Sequence, residues 1–449
     1  MRLPLSPPPL DQLLERPETS ERFHRIMMAD ALKPTLDGKY LHWDEVRHRE
    51  PPDDLSHEDW WMGIKLARQG MLRAIPLVDR SGRPFFYTLA DPVLELVSGI
   101  DRNASGRIEV SEQVTNPEVR DRYIVSSLIE EAASSSILEG AATTVQRAKE
   151  MIRSGEEPRD RSERMILNNY RAMRHISDLT EEPLSPKIVF DLHRVLTADT
   201  LDDPAAAGRV RRPDDPEDRI EVTDRLDGTT LHVPPAAEEL PGRLERMCAF
   251  ANDASAEPYM PPVLRAILLH FWLAYDHPFV DGNGRTARAL FYWSMLRQDY
   301  WLTSFVSISG ILRQAPAKYA RSFLYTETDD NDLTYFILYQ LQVLRRAIDE
   351  LDKFLERKSR EIRKVERLLR PSVGFNHRQL ALLGHALRHP GARYTIESHQ
   401  TSHDVVYQTA RSDLHGLADR GLLERRKVGR RYVYSPPTDL VDRLQQLAV

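Results

Sequence analysis

From about residue 117 to 345, apolar side chains return every three or four positions, as in YIVSSLIEEAASSSIL and MILNNYRAMRHI, and this period predicts helices almost throughout. VLRAILLHFWLAY, residues 263 to 275, is apolar nearly all round, which predicts a helix buried on every side. Beyond it Ala287, Leu290, Phe291 and Ser294 form a small and apolar face, so a second helix is expected from Arg285 to about Arg297. One stretch breaks the pattern. Between Gly208 and Pro235 a polar, proline-containing loop leads into RIEVTDRLDGTTLHVPP, where Asp227 and Gly228 lie between short strand-like runs and read as a β-hairpin turn.

The flanks differ. Residues 1 to about 110 mix proline-rich stretches with LHWDEVR and EDWWMGIKLARQGML and carry no recognisable chemistry, while PFFYTLADPVLELV reads as a strand or turn entering a helix. Leu344, Ile348, Leu351, Leu355, Ile362, Val365 and Leu369 are spaced by threes and fours except at Lys358, which predicts a long helix. It is read as a connector, with a dimerising coil, and hence a homodimer, as the alternative. After Pro371 come short helical runs and GLLERRKVGRRYVYSP, which alternates about Gly429 like a two-stranded wing.

A chain of 449 residues exceeds a single core, so two or three units are expected. Its 41% hydrophobic and 29% charged residues are those of an ordinary globular protein, and a net charge of -6 confines any nucleic-acid surface to a local patch. The single cysteine, Cys248, excludes an internal disulfide framework and reads as a small buried hydrophobe. MRLPLSPPPLDQL has prolines where a signal peptide has an apolar run, and no segment reaches the roughly 20 apolar residues of a membrane span. The expectation is a cytoplasmic protein without a membrane partner.

The chemistry is concentrated in HPFVDGNGRTAR, residues 277 to 288. No lysine follows the glycines, so it is not a P-loop, and aligning DGNG with a calcium-binding EF-hand puts Phe279 and Leu290 where carboxylates are required. A plain helix-loop-helix turn accounts for one aspartate and one glycine, but not for a histidine and two arginines beside them. The motif joins two core helices and ends at a helix N-terminus, where Gly282 and Gly284 let main-chain N–H groups converge on an anion. Arg285 and Arg288 stand three apart in the first turn, where cations oppose the helix dipole unless an anion binds; a di- or triphosphate fits. Asp281 is suited to a Mg²⁺ bridging phosphate oxygens. His277, with an ordinary pKa of about 6.5, is suited to taking a proton from an attacking hydroxyl.

HPFVDGNGRTAR matches the Fic family motif, HxFx(D/E)GNGRxxR, at every defined position. The resemblance spans roughly 120 to 340 and implies a helical domain that transfers AMP from ATP to a protein hydroxyl. It implies His277 as general base, Asp281 as Mg²⁺ ligand, Gly282, Asn283 and Gly284 as the anion hole, Arg285 as a phosphate contact and Arg288 as the γ-phosphate ligand. It also implies that the hairpin is a flap whose Thr229, Thr230, Leu231, His232 and Val233 align the target chain by strand-like pairing.

Upstream, SSILEG places Ser135 and Glu139 one helical turn apart, with Gly140 at a helix end. A helix C-terminus explains the glycine, but a glutamate there is unfavourable with the dipole and wants a cation. The segment resembles the Fic inhibitory motif, (S/T)xxxE(G/N), of the subclass in which the inhibitory helix precedes the core. That implies Glu139 paired with Arg288, and an enzyme at rest. The same glutamate could orient water for AMP removal, and the two directions stay open.

In SHDVVYQTARSDLHGLADRGLLERRKVGRRYVYSP, Val406, Ala410, Leu414 and Leu417 are read as the inward face of a helix before the hairpin, and the segment resembles a winged helix-turn-helix with Tyr407 to Arg420 as recognition helix. From Arg420 to Tyr434 six basic residues face one acid, which suits DNA phosphates as well as simple solubility. His270 is read as a core residue. His385 and His389 lack the glutamate of HExxH, His377 has no spacing signature, and none is assigned a metal.

The expected architecture is mainly α, with an N-terminal region at 1–115, a Fic domain with inhibitory helix and β-hairpin flap at 116–345, a connector at 346–370 and a winged helix at 371–449. The expected activity is ATP- and Mg²⁺-dependent adenylylation of a Ser, Thr or Tyr hydroxyl of a protein, the chain itself included. The rivals are AMP removal or phosphoryl transfer from the same site, and a DNA-binding regulator that senses nucleotide.

Overall fold

The helix Pro262–Asp276 is apolar on all sides because it is buried on all sides: every residue from Val263 to Leu273 lies in the core. It packs along Asn283–Arg297, and around this pair stand Pro117–Leu138, Arg161–Asp178, Pro186–Thr197 and Leu240–Asn252. The structure is a computed structural model that describes residues 2–17, 19–104, 117–224, 227–253, 258–369, 374–388, 391–403, 405–428 and 431–447. It is mainly α-helical, with three two-stranded sheets among the described residues. Local chemistry sets the helix starts. Ser185 accepts the Ile188 N–H ahead of Pro186, and Asp160 accepts the Glu163 N–H at 2.8 Å.

The chain divides into two compact units, Met1–Leu351 and Asp352–Val449. The N-terminal residues therefore belong to the same unit as the helical core. Their helices Thr19–Met28 and His57–Gln69 enclose Trp60 and Trp61, followed by antiparallel strands Arg73–Val78 and Pro84–Tyr87 and the helix Asp91–Ala104. PFFY is thus the strand, and DPVLELV opens the helix.

The hairpin expected as a flap is an antiparallel pair, Val222–Thr223 with Thr230–His232. Its connection is wider than a two-residue turn: Asp224 N–H donates to Thr229 O and Gly228 N–H to Asp224 O, both at 2.8 Å, and Gly228 takes φ +70°. Arg225 and Leu226 lie outside the described residues. Thr229 and Val233 flank the strand that Thr230, Leu231 and His232 form.

The helix Thr334–Leu369 runs through the expected connector; the side chains of Leu355, Ile362, Val365 and Leu369 lie outside the described residues, as do Pro371, His389, Pro390, Gly429 and Arg430. In the second unit the helices His377–Arg388, Ile396–His403 and Tyr407–Asp419 and the strands Glu424–Val428 and Arg431–Ser435 share a core that includes Leu383, Ala410, Leu414, Leu417 and Tyr434. Val406 is not part of it. The helix begins at Tyr407, so Val406 is its cap and is 68% exposed; the spacing that fits Ala410 to Leu417 does not extend past the helix start. His385 Nδ1 bonds to the Tyr394 hydroxyl at 2.8 Å. Among the described residues no helix is long and apolar enough to cross a membrane.

Candidate active site

His277 ends the Pro262–Asp276 helix in the left-handed region, φ 44° and ψ 56°, which is costly for a residue with a Cβ and needs external support. Arg211 supplies it. Its Nε donates to His277 O at 2.8 Å, its main-chain N–H to Pro278 O at 2.8 Å and its Nη2 to Pro235 O at 3.1 Å. The His277 Nδ1 contact with Ala274 O, 3.3 Å, makes Nδ1 the protonated nitrogen and leaves the lone pair on Nε2. Burial pushes the imidazole pKa down to about 4, opposed by Ala274 O and Glu139. At neutral pH the ring is therefore an uncharged base.

The rest of the loop is cross-braced. Asn283 Oδ1 accepts the Phe279 N–H at 2.9 Å and its Nδ2 donates to Phe279 O at 2.7 Å, so the Asn283 side chain shapes the loop. Phe279 stacks on His193, with centroids 3.8 Å apart. His193 Nδ1 accepts the Gly208 N–H at 2.9 Å, which assigns the proton to Nε2, the donor to Asp281 O at 2.8 Å; burial lowers this ring to about 4 as well. Arg211 and His193 were missed in the sequence, since nothing local to either points at a loop tens of residues away.

The first intrahelical bond of Asn283–Arg297 is Thr286 N–H to Gly282 O, so the N–H groups of Asn283, Gly284 and Arg285 have no partner within the helix. The Gly282 N–H is taken by Asp281 Oδ1 at 2.6 Å. Arg285 is 1% exposed; Nη1 donates to Leu196 O at 2.9 Å, Nη2 is 3.6 Å from Asp281 Oδ2, and Nε and Nη2 lack hydrogen-bond acceptors. Burial lowers its pKa. A buried cation with unmet donors beside open N–H groups is a cradle for an anion.

Arg288, equally buried, is held from one helical turn. Nε donates to Ser135 Oγ at 2.8 Å, and Nη2 to Ser135 O at 3.1 Å and to Glu139 Oε1 at 2.8 Å. Burial acts to lower the pKa of this guanidinium, but Glu139, Tyr319 and Glu131 together outweigh it and the net shift is upward. Pro117–Leu138 comes this close because Ala132, Ala133, Ser134, Ser135 and Ser136 are small and buried. Gly140 ends the run at φ +99°, with the following Ala141 N–H returning to Ser136 O at 3.0 Å. The carboxylate of Glu139 lies against Gly284, where a Cβ would overlap it. Glu131, two turns upstream of Glu139 and also missed in the sequence, accepts from Tyr292 Oη at 3.0 Å, Ser307 Oγ at 2.9 Å, Ser309 N–H at 2.9 Å and Ser309 Oγ.

A cavity of about 200 Å³ brings Glu139, His277, Gly284 and Arg288 together, with Leu231 of the flap and Phe323 as apolar walls. His232 fastens the flap: Nε2 meets Tyr275 O at 2.7 Å and Nδ1 meets Glu327 Oε2 at 2.8 Å. Asp281 carries a side chain 42% exposed, within 3.8 Å of Arg161. Among the described residues no group of three His, Cys, Asp or Glu could hold a metal ion. A lone, accessible carboxylate fits a Mg²⁺ that arrives with phosphate oxygens and keeps its waters.

Residues 183–295 match the Fic/DOC family, and the chain carries a Fic/DOC domain there. Over 137 residues it is 31% identical to a protein adenylyltransferase Fic from Drosophila ananassae, covering 30% of this chain and 24% of that one. Over 72 residues it is 46% identical to a protein of the same name from Nematostella vectensis, covering 15% and 16%. The chain thus spans no more than about a quarter of these curated relatives. A crystal structure of a Fic family protein from Desulfovibrio desulfuricans shares the fold, with a TM-score of 0.53 at 18% identity over 78% of this chain and 98% of that one.

Proposed function

We propose that the chain is a protein adenylyltransferase whose own glutamate holds it at rest. The observation that carries this reading is the meeting of a neutral histidine, the glycine of an open helix N-terminus and an arginine already occupied by a carboxylate in one small cavity.

His277 Nε2 takes the proton of a Ser, Thr or Tyr hydroxyl as that oxygen bonds to the α-phosphorus of ATP. The bond from the α-phosphorus to the bridging oxygen breaks and pyrophosphate leaves. The N–H groups of Asn283, Gly284 and Arg285, with the Arg285 guanidinium, hold the phosphate oxygens as charge shifts onto them. Asp281 would hold Mg²⁺, which supplies neutralising charge to the phosphates when bound. Arg288 takes the γ-phosphate and so sets the α-phosphate in line. Glu139 prevents this twice, by engaging Arg288 and by placing negative charge at Gly284. The target lies along Thr229 to Val233 as an added strand, with His232 keeping that edge in place. Targets include the chain's own hydroxyls.

Incubation of Glu139→Gly protein with Mg²⁺ and ATP labelled at either phosphate tests the transferred group. Protein label from the α-phosphate supports adenylylation; label from the γ-phosphate alone replaces it with phosphoryl transfer.

We propose also that the C-terminal unit binds DNA through Tyr407–Asp419 and its hairpin. The exposed Tyr407 and the basic strand Glu424–Val428 support this, although Arg426 and Arg431 approach Glu424 and Glu397 at 3.8 and 3.7 Å. Salt-sensitive binding to duplex DNA that disappears in Arg425→Glu/Lys427→Glu is the expected result; undiminished binding in that variant contradicts it.

A further inference from the structure

The helix Pro316–Thr328 has two working faces. Tyr319, Phe323 and Glu327 line the cavity at His277, whereas Lys318, Arg321, Ser322 and Tyr325 line a second cavity of about 420 Å³, together with Lys39 and Tyr40. That volume lies within the range of small-molecule sites.

The second cavity combines aromatic walls with a cationic rim. The hydroxyls of Tyr40 and Tyr335 donate to Asp332 and Asp329, at 2.5 and 2.6 Å, and both residues line the cavity. The Arg68 guanidinium sits 3.6 Å from the Tyr40 ring centroid, and Tyr325 lies parallel to His42 with centroids 4.3 Å apart, so both rings are held in position. Lys39 follows the tight turn at Asp37 and Gly38, with φ of 47° and 70°. Lys318 and Arg321 line the same cavity from the helix, one turn apart, a repulsive arrangement that an anion relieves. Among the described residues none of these three cations has a carboxylate within 4 Å, and Glu45 is the only acid lining the cavity.

We propose that this cavity binds a nucleoside phosphate, with the base against the tyrosine rings and the phosphate on Lys39, Lys318 and Arg321. Resting on the transferase reading, its occupancy acts on the active site through the shared helix, because Tyr319 bonds to His270 at 2.8 Å and Glu327 holds the flap histidine. No bond is made or broken in the second cavity.

Calorimetric titration of the full chain with GMP tests the site. Saturable binding is expected, weakened at least tenfold in Lys318→Glu/Arg321→Glu and kept in Lys318→Arg/Arg321→Lys. Both positions are exposed, and unchanged thermal melting shows that the fold survives. No saturable binding by the parent, or equal affinity in the charge-reversed protein, overturns the site. In Glu139→Gly, saturating GMP is expected to change α-label transfer at least twofold, an effect absent when Lys318 and Arg321 are reversed. Binding with no change in rate overturns the coupling. Loss of all transfer activity counts against the transferase reading, whereas the titration decides the second cavity independently of it.

Discussion

Glu139 Oε1 accepts a hydrogen bond from Arg288 Nη2 at 2.8 Å while lying over Gly284, the residue that opens the N-terminal turn of the Asn283–Arg297 helix. One carboxylate therefore pairs with a buried guanidinium and places negative charge at the open N-terminal turn of that helix. On the proposed reading ATP has to compete with this intramolecular partner, and a resting state is the expected result of that competition.

Gly284→Ala tests the crowding at the cradle. The new Cβ would overlap the Glu139 carboxylate and lie 3.1 Å from Arg288 Nη1. In Glu139→Gly the first obstacle is gone but the cradle is still obstructed, so Glu139→Gly/Gly284→Ala is expected to transfer about 10²-fold less AMP than Glu139→Gly. Initial rates of α-label transfer measure it. Equal rates would show that phosphate does not sit at Gly284.

Glu131→Gln tests whether the proposed inhibitory helix needs its distant anchor. The amide cannot satisfy all four donors that meet the carboxylate, and a loss of about 1–3 kcal/mol is expected. Transfer should rise severalfold, well short of Glu139→Gly. Denaturant midpoints and label incorporation report the two effects; lowered stability with transfer unchanged would make Glu131 purely structural.

The pH dependence follows from buried neutral imidazoles. Burial lowers His42, His193 and His277 to about 4 and His270 to about 3. Between those values and about 6.5 the unfolded chain binds more protons than the folded one. Stability is accordingly expected to rise with pH across that window and to be lost as pH falls through it. Asp276, raised to about 6 by burial, and Asp332, raised by burial as well, oppose the trend. Urea midpoints from pH 7 to 4 check this; a flat profile contradicts the assignment. In Glu139→Gly, transfer should keep its neutral-pH rate down to about pH 5, and His277→Ala should lose about 10²- to 10⁴-fold.

The candidate site loop was legible because its residues are packed into twelve consecutive positions between two strongly patterned helices. Ser135, Glu139 and Gly140 were legible because one helical turn relates them. Arg211, His193 and Glu131 were not: each acts on groups 66 to 178 residues away, and no periodicity encodes such pairings. The place of the N-terminal residues in the larger unit was hidden for the same reason, since Lys65 meets Asp329 and Tyr40 meets Asp332 only in the fold. Val406 shows the opposite failure, a helical period carried one residue past the helix.

Restraint by Glu139 is tested most directly by the initial rate of α-label transfer from ATP in parent, Glu139→Gly and Glu139→Gly/His277→Ala proteins, with equal folding verified. An increase of at least tenfold in Glu139→Gly, abolished in the double variant, is the predicted result. Equal incorporation by parent and Glu139→Gly would show that the Glu139–Arg288 pair holds the structure together without holding the enzyme back.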